Sequence, residues 1–172
     1  MRVLNYILLI LINFILQTTL CEYIAFSGIK PNLLLILIIS FSFMRGKDEG
    51  MLLGFFSGLL MDSFFGLFLG LNAGIYLLIG WGCGNYSNKY REDSVIPPFI
   101  LLTSFSFLFG LLSYLFKAFL AGYPNIVPFL SDFIMPETIY TSLLSFFIYR
   151  LYYILNKNLQ KYDRRKKNLF NN

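Results

Sequence analysis

The chain alternates between long apolar stretches and short polar breaks. Six apolar stretches can be drawn, over residues 3–20, 30–45, 50–67, 70–84, 96–121 and 129–155. Each is about as long as the roughly 20 residues that an α-helix needs to cross a bilayer. Inside hydrocarbon no water satisfies backbone N–H and C=O groups, so such segments must be helices or a closed barrel. The runs lack strand-like alternation, so the expected fold is all-α. Of the 172 residues, 57% are hydrophobic and 13% charged, against about 25% charged in an average soluble domain. A soluble fold of this size could not hide that much apolar surface. We therefore expect residues 1–156 to form one compact six-helix transmembrane domain and residues 157–172 a basic, frayed cytoplasmic tail.

The first stretch competes with a signal peptide, but no A-x-A-like site follows it. Gln17-Thr18-Thr19-Leu20 before Cys21 also fits a lipoprotein cleavage site poorly, so a retained helix is expected. Asn13 and Gln17 are four residues apart and should share a face turned towards other helices. The second stretch opens at Pro31, which a first helical turn tolerates, and ends in the polar turn Arg45-Gly46-Lys47-Asp48. Residues 50–82 are nearly continuous. As one helix they would be about 50 Å long, too long for one span, so two helices joined by a short hairpin at Phe64–Gly70 are expected. Gly80, Gly82 and Gly84 read as C-terminal punctuation of the fourth helix. Pro136 should bend the last helix or start its regular part.

Charge orients the bundle. With six spans and the N-terminus inside, the cytoplasmic side carries Arg2, Arg45, Lys47, Lys89, Arg91, Arg150 and the cations Lys157, Lys161, Arg164, Arg165, Lys166 and Lys167, twelve in all. The outer side then holds Lys30 and Lys117. Short loops follow the positive-inside rule, so both termini are expected in the cytoplasm. The same rule explains the basic tail more simply than nucleic-acid binding does, and no nucleic-acid partner is expected. Cys21 and Cys83 fall on opposite sides, which argues against a disulfide.

One row of residues stands out. Gly50, Gly54, Gly58, Asp62 and Gly66 recur every four positions. Such a row makes a flat helix face that a neighbour can approach closely, so we read it, with Gly70 and Asn72 beyond it, as a helix-packing seam or partner interface. An ionised Asp62 facing lipid would cost roughly 2.5–3.5 kcal/mol on insertion scales. It should face the interior, pair with a donor or be protonated, or else lie exposed near the outer interface where the helix ends; the Asn72 amide across the hairpin is one candidate donor. On that reading Gly58→Leu should block packing, and Asp62→Asn should be milder. Glu137, in a first helical turn, is the other candidate polar group, though the helix dipole alone explains an acid there.

The chain has no histidine and only two cysteines, which excludes a His-based triad and leaves a poor basis for a metal site. No Gly-rich phosphate loop and no activated nucleophile is present. We expect neither catalysis nor a cofactor, and Asp62, Asp132 and Glu137 do not form a relay through the membrane.

The residues Pro31-Asn32-Leu33-Leu34-Leu35, Arg45-Gly46, Glu49-Gly50, Gly54-Phe55-Phe56-Ser57-Gly58-Leu59-Leu60-Met61-Asp62, Leu69-Gly70-Leu71-Asn72-Ala73 and Pro136-Glu137 resemble the MreD family of rod-shape-determining membrane proteins. The similarity runs over essentially the whole chain and is densest from Pro31 to Gly80, with Thr141 departing from a more usual asparagine. The resemblance implies a non-enzymatic, multi-pass protein of the bacterial cytoplasmic (inner) membrane that serves the cell-wall elongation complex. It implies direct binding to MreC and indirect contact with MreB, RodA and a class B penicillin-binding protein; a homodimer is left open by the sequence. It also implies a bundle similar to the substrate-binding subunits of energy-coupling-factor transporters. The alternative function is therefore a subunit of a vitamin-type transporter. That would need a polar pocket open to the outside and a small-residue stripe on the first helix, whereas Val3–Leu20 contains no alanine or glycine.

Overall fold

A computed structural model describes residues 2–25, 28–66, 68–87, 96–121 and 126–170. The described residues are helical apart from turns and contain no β-strand. In chain order the helices are α1 (Arg2–Thr18), α2 (Leu20–Tyr23), α3 (Leu33–Arg45), α4 (Lys47–Phe65), α5 (Leu71–Gly84), α6 (Ile96–Ala121), α7 (Ile126–Phe129), a π-helical turn (Leu130–Ile134) and α8 (Met135–Phe170). The polar stretch with Lys89, Arg91, Glu92 and Asp93 lies outside the described residues.

The bundle is organised around α3. Every residue from Leu33 to Met44 is buried, as expected of a helix that is apolar all round. Helices α1, α4, α5, α6 and α8 all pack on it. The outer helices instead keep an apolar lipid-type face. On α1 the exposed row includes Leu4, Leu8, Leu11 and Ile15, while Ile10, Asn13 and Phe14 turn inward. On α8, Leu143, Phe147, Leu151 and Ile154 are exposed, while Thr141, Ser145, Tyr149 and Tyr152 are buried.

Among the described residues, three segments are long and apolar enough to cross a membrane: Leu4–Tyr23, Ile96–Phe116 and Ile126–Gln160. The apolar helices α3 and α5 are shorter, with 13 and 14 residues. At 1.5 Å per residue each is about 20 Å long, less than the ~30 Å hydrocarbon thickness. The core position of α3 explains its tolerance for this length, because its neighbours rather than lipid surround it. Helix α4 has 19 residues but carries Lys47, Asp48, Glu49 and Asp62.

Two joints have clear physical causes. Between α3 and α4 the chain turns at a single residue, Gly46, with φ +97°. That left-handed region is open to glycine and strained for other residues. Before Pro136 the helix makes a π turn in which the Met135 N–H donates to the Leu130 carbonyl. A proline lacks its own donor and its ring presses on the carbonyl four residues back, and one wide turn absorbs both effects. Pro136 therefore marks a change of helical pitch within one continuous helix from Ile126. At the other end, α8 runs on to Phe170, where the sequence suggests a frayed tail from residue 157. Lysine, arginine, glutamine and leucine are good helix formers, so no local signal stops it there.

Candidate functional site

Helices α4 and α5 are antiparallel and form the most extensive helix pair of the molecule. Their contact is backbone against backbone. A Cβ added to Gly58 would lie 2.3 Å from the Ala73 Cα, and one on Gly54 would lie 2.3 Å from the Tyr76 carbonyl oxygen. Gly50 and Gly80 face each other, with a Cβ on Gly80 falling 2.3 Å from the Gly50 oxygen. Gly84 closes the row against the Lys47 Cα, again at 2.3 Å. Glycine is required at each position because the opposing atoms are backbone and cannot rotate aside. The seam thus has two halves, Gly50, Gly54 and Gly58 on α4 and Ala73, Tyr76, Gly80 and Gly84 on α5.

This changes the reading of several glycines. Gly80 lies within α5 as a packing residue, Gly84 packs as well as ending the helix, and Gly82 faces the Phe105 ring of α6. Gly66 does not join the seam: α4 has ended at Phe65, and a Cβ there would meet only the backbone of its own Asp62. Gly70 serves the hairpin by conformation, with φ +97° and open space where a Cβ would be.

Asp62 is 3% exposed. Its two oxygens accept four hydrogen bonds: Oδ2 from the Gly70 N–H (2.9 Å) and the Ala73 N–H (3.1 Å), Oδ1 from the Asn72 N–H (3.1 Å) and the Asn72 side-chain amide (2.8 Å). The first N–H groups of any helix have no partner within it. Asp62, at the end of α4, therefore caps the start of α5 and places its negative charge at that helix's positive end. Each oxygen serves two donors, so an asparagine at this position would turn an NH₂ group towards two N–H donors. The substitution would thus touch four donors and not the Asn72 amide alone.

Beside the hairpin a second polar group fixes the start of α3. Asn32 accepts from the Leu35 N–H at 3.0 Å, the usual N-cap bond, and its amide donates to the Tyr76 hydroxyl at 2.9 Å. The Asn32 N–H donates to the Thr141 hydroxyl of α8 at 3.1 Å. Gln17 of α1 accepts from the Leu33 N–H (2.6 Å) and donates to the Pro31 carbonyl (3.0 Å). Lower on α1, Asn13 accepts from the Tyr152 hydroxyl. Asn13 and Gln17 therefore both point inward, as their spacing requires.

Between these groups lies a cavity of about 470 Å³, lined in part by Asp62, Asn72, Tyr76, Phe109, Ser113 and Glu137. Glu137 stands in the first turn of α8. Asp62, Asn72 and Glu137 are thus brought to one chamber, while Gly50, Gly54 and Gly58 lie along the seam.

The opposite end of α3 is closed by a different network. The Arg45 side chain is 6% exposed. Its Nε donates to Asn156 Oδ1 at 2.5 Å, and its Nη1 to the Tyr6 hydroxyl at 2.8 Å and to Glu49 at 3.3 Å. The Tyr6 hydroxyl also donates to Glu49. Four helices, α1, α3, α4 and α8, meet on this guanidinium. Its partners could not be assigned from sequence, since Tyr6 and Asn156 lie far from Arg45 along the chain.

An all-helical bundle with lipid-type outer faces, polar side chains turned inward and membrane-length helices defines an α-helical membrane protein. Residues 1–160 match the family described as rod shape-determining protein MreD, and the chain belongs to that family. No curated protein and no solved structure matches it significantly.

Proposed function

We propose that this protein is a non-enzymatic scaffold of the bacterial cell-wall elongation complex, which it serves by binding MreC within the cytoplasmic membrane. The match to a family of rod-shape-determining proteins over residues 1–160 carries this reading. The disposition of polar groups supports it. Asp62, Asn32, Gln17, Asn13 and Arg45 are all engaged in bonds between helices or at helix ends. Groups held in this way fix shape and do not resemble an acid, base or nucleophile awaiting a substrate. Contacts to MreB, RodA and a class B penicillin-binding protein would then run through MreC.

In this reading the chain crosses the membrane six times with both termini in the cytoplasm, so the hairpin end faces outward and the Arg45 network inward. The charge distribution supports that orientation. Depletion of the protein in a rod-shaped host should round the cells, and a plasmid copy should restore rods. Normal rods after complete depletion would contradict the reading. A C-terminal tag should resist protease added to intact cells whose outer face is accessible, and cleavage there would contradict the orientation.

A second reading, a substrate-binding subunit of a vitamin-type transporter, is favoured by one observation, the cavity at the hairpin end. The absence of alanine and glycine from Val3–Leu20 weighs against it, because no small-residue stripe is present there for docking an energy module.

A further inference from the structure

We propose that the C-terminal end of α8 binds the headgroups of anionic phospholipids through a row of basic residues on its outward face. The row begins as a lipid face. Leu143, Phe147 and Ile154 of α8 are exposed and apolar, and Arg150 between them is exposed as well. Steps of three and four residues stay on one face of a helix. Helix α8 runs unbroken to Phe170, and the same steps beyond Ile154 reach Lys157, Lys161 and Arg165. The face that is apolar up to Ile154 is therefore basic after it. The opposite face differs. Tyr149, Tyr152 and Asn156 are buried against the bundle, and steps of three and four from Asn156 lead to Asp163, Lys166 and Lys167. Asp163, the one acid between Lys157 and Phe170, thus falls off the basic row.

Depth along the helix selects the partner. A bilayer is about 30 Å thick in hydrocarbon and about 40–45 Å with its headgroups, which leaves roughly 5–7 Å of headgroup layer on each side. At 1.5 Å per residue, Lys157 stands about 5 Å and Lys161 about 10 Å beyond Ile154 along the axis. Arg150 lies one turn before Ile154, and a long stem of this kind lets a charged head reach the same layer. Its guanidinium carbon is 5.8 Å from the centroid of the Tyr153 ring, and tyrosine suits the membrane–water boundary. Arg165, about 16 Å beyond Ile154, is roughly one Debye length outside the layer and still adds to its field.

Charge selects the headgroup. Lys30 and Arg45 each have a carboxylate partner. Arg150 and Lys157 form no ion pair among the described residues. A zwitterionic headgroup brings its own ammonium to the row, whereas a phosphate diester with net negative charge does not. Basic clusters directly beside a membrane helix attract anionic lipid in this way. An acidic protein or a nucleic acid would approach from the aqueous side, and neither requires cations in line with a lipid face. The proposal rests on α8 crossing the membrane, as in the six-span reading, and not on MreC.

The test is native mass spectrometry of the full-length protein from detergent micelles carrying equal amounts of phosphatidylglycerol and phosphatidylethanolamine with the same acyl chains. The parent protein should retain phosphatidylglycerol at least tenfold better, since each cation near an anionic surface contributes roughly fivefold in affinity. Lys157→Gln with Lys161→Gln should bring the two lipids close to equal retention. Glutamine is a good helix former, so the helix itself is kept. Lys166→Gln with Lys167→Gln removes the same charge from the opposite face and should leave most of the preference in place. Equal retention of the two lipids by the parent overturns the proposal. So does an equal loss in the two double variants, which would make net charge and not the outward face responsible. If Lys157→Gln with Lys161→Gln abolishes recovery of MreC from membranes while the lipid preference is unchanged, the face belongs to a protein and the proposal also fails. A parent protein that prefers phosphatidylglycerol but recovers no MreC would support this proposal and contradict the scaffold reading alone.

Discussion

The two ends of the bundle solve the same problem differently. Each must hold ionisable and amide side chains among apolar helices. At the Arg45 end the partners are side chains, and Arg45, Tyr6, Glu49 and Asn156 close on one another. At the hairpin end the acceptor is Asp62, and three of its four donors are backbone N–H groups at the start of the next helix. A cavity remains beside it. One end is therefore a lock between four helices. The other is a capped hairpin with room next to it. The difference separates an end closed by side chains from an end that keeps a cavity.

Substitutions can break or sharpen that contrast. The largest effect is expected from Gly58→Leu. Its side chain would enter the Ala73 backbone, where a Cβ alone lies at 2.3 Å. Overpacking costs about 1–3 kcal/mol when side chains can yield, and backbone yields less. Folded protein recovered by fluorescence-detected size-exclusion chromatography should fall to near background, whereas Gly74→Leu on the same hairpin, with open space at its Cβ, should be recovered normally.

Asp62→Ala comes next. It removes the acceptor of four donors, each worth about 1–3 kcal/mol if left buried and unpaired. Asp62→Asn keeps one acceptor oxygen, and its melting temperature should fall between those of Asp62→Ala and the parent. An Asp62→Asn protein as stable as the parent would show that fewer donors depend on the carboxylate. Arg45→Ala should destabilise by a smaller amount, about 1–3 kcal/mol, since Glu49 is partly exposed and water can reach it. Tyr76→Phe removes one hydroxyl bonded to Asn32 and should cost about 0.5–1.5 kcal/mol. An Arg45→Ala loss as large as that of Asp62→Ala would mean that the two ends are not distinguished as described.

Sequence reasoning reaches one half of the seam and misses the other for a physical reason. On α4 the contacts need small residues at every fourth position, so the glycines announce themselves. On α5 the row includes Tyr76, whose side chain points to Asn32 and Phe109 while its carbonyl meets Gly54. A tyrosine does not look like a packing-seam residue, so Gly80 and Gly84 read only as the end of the helix, which Gly84 also is. Gly66 misleads in the opposite sense, because a four-residue period has meaning only while the helix continues, and α4 stops at Phe65. The inward face of α1 is legible from Asn13 and Gln17, but their partners, Tyr152 and the start of α3, are tertiary facts. Arg45 is visible in the sequence as an orienting charge. Its burial depends on residues from three other helices. The Asp62–Asn72 pair is visible across the hairpin, but the N–H groups of Gly70 and Ala73 carry no sequence signal beyond the turn itself.

The scaffold reading is tested most directly by what accompanies the protein from native membranes. A tagged, full-length copy expressed at its normal level should recover MreC in near-stoichiometric amount after mild solubilisation, and Gly58→Leu should recover little because little folded protein remains. Recovery of an ATPase module with no MreC would contradict the scaffold reading and favour the transporter.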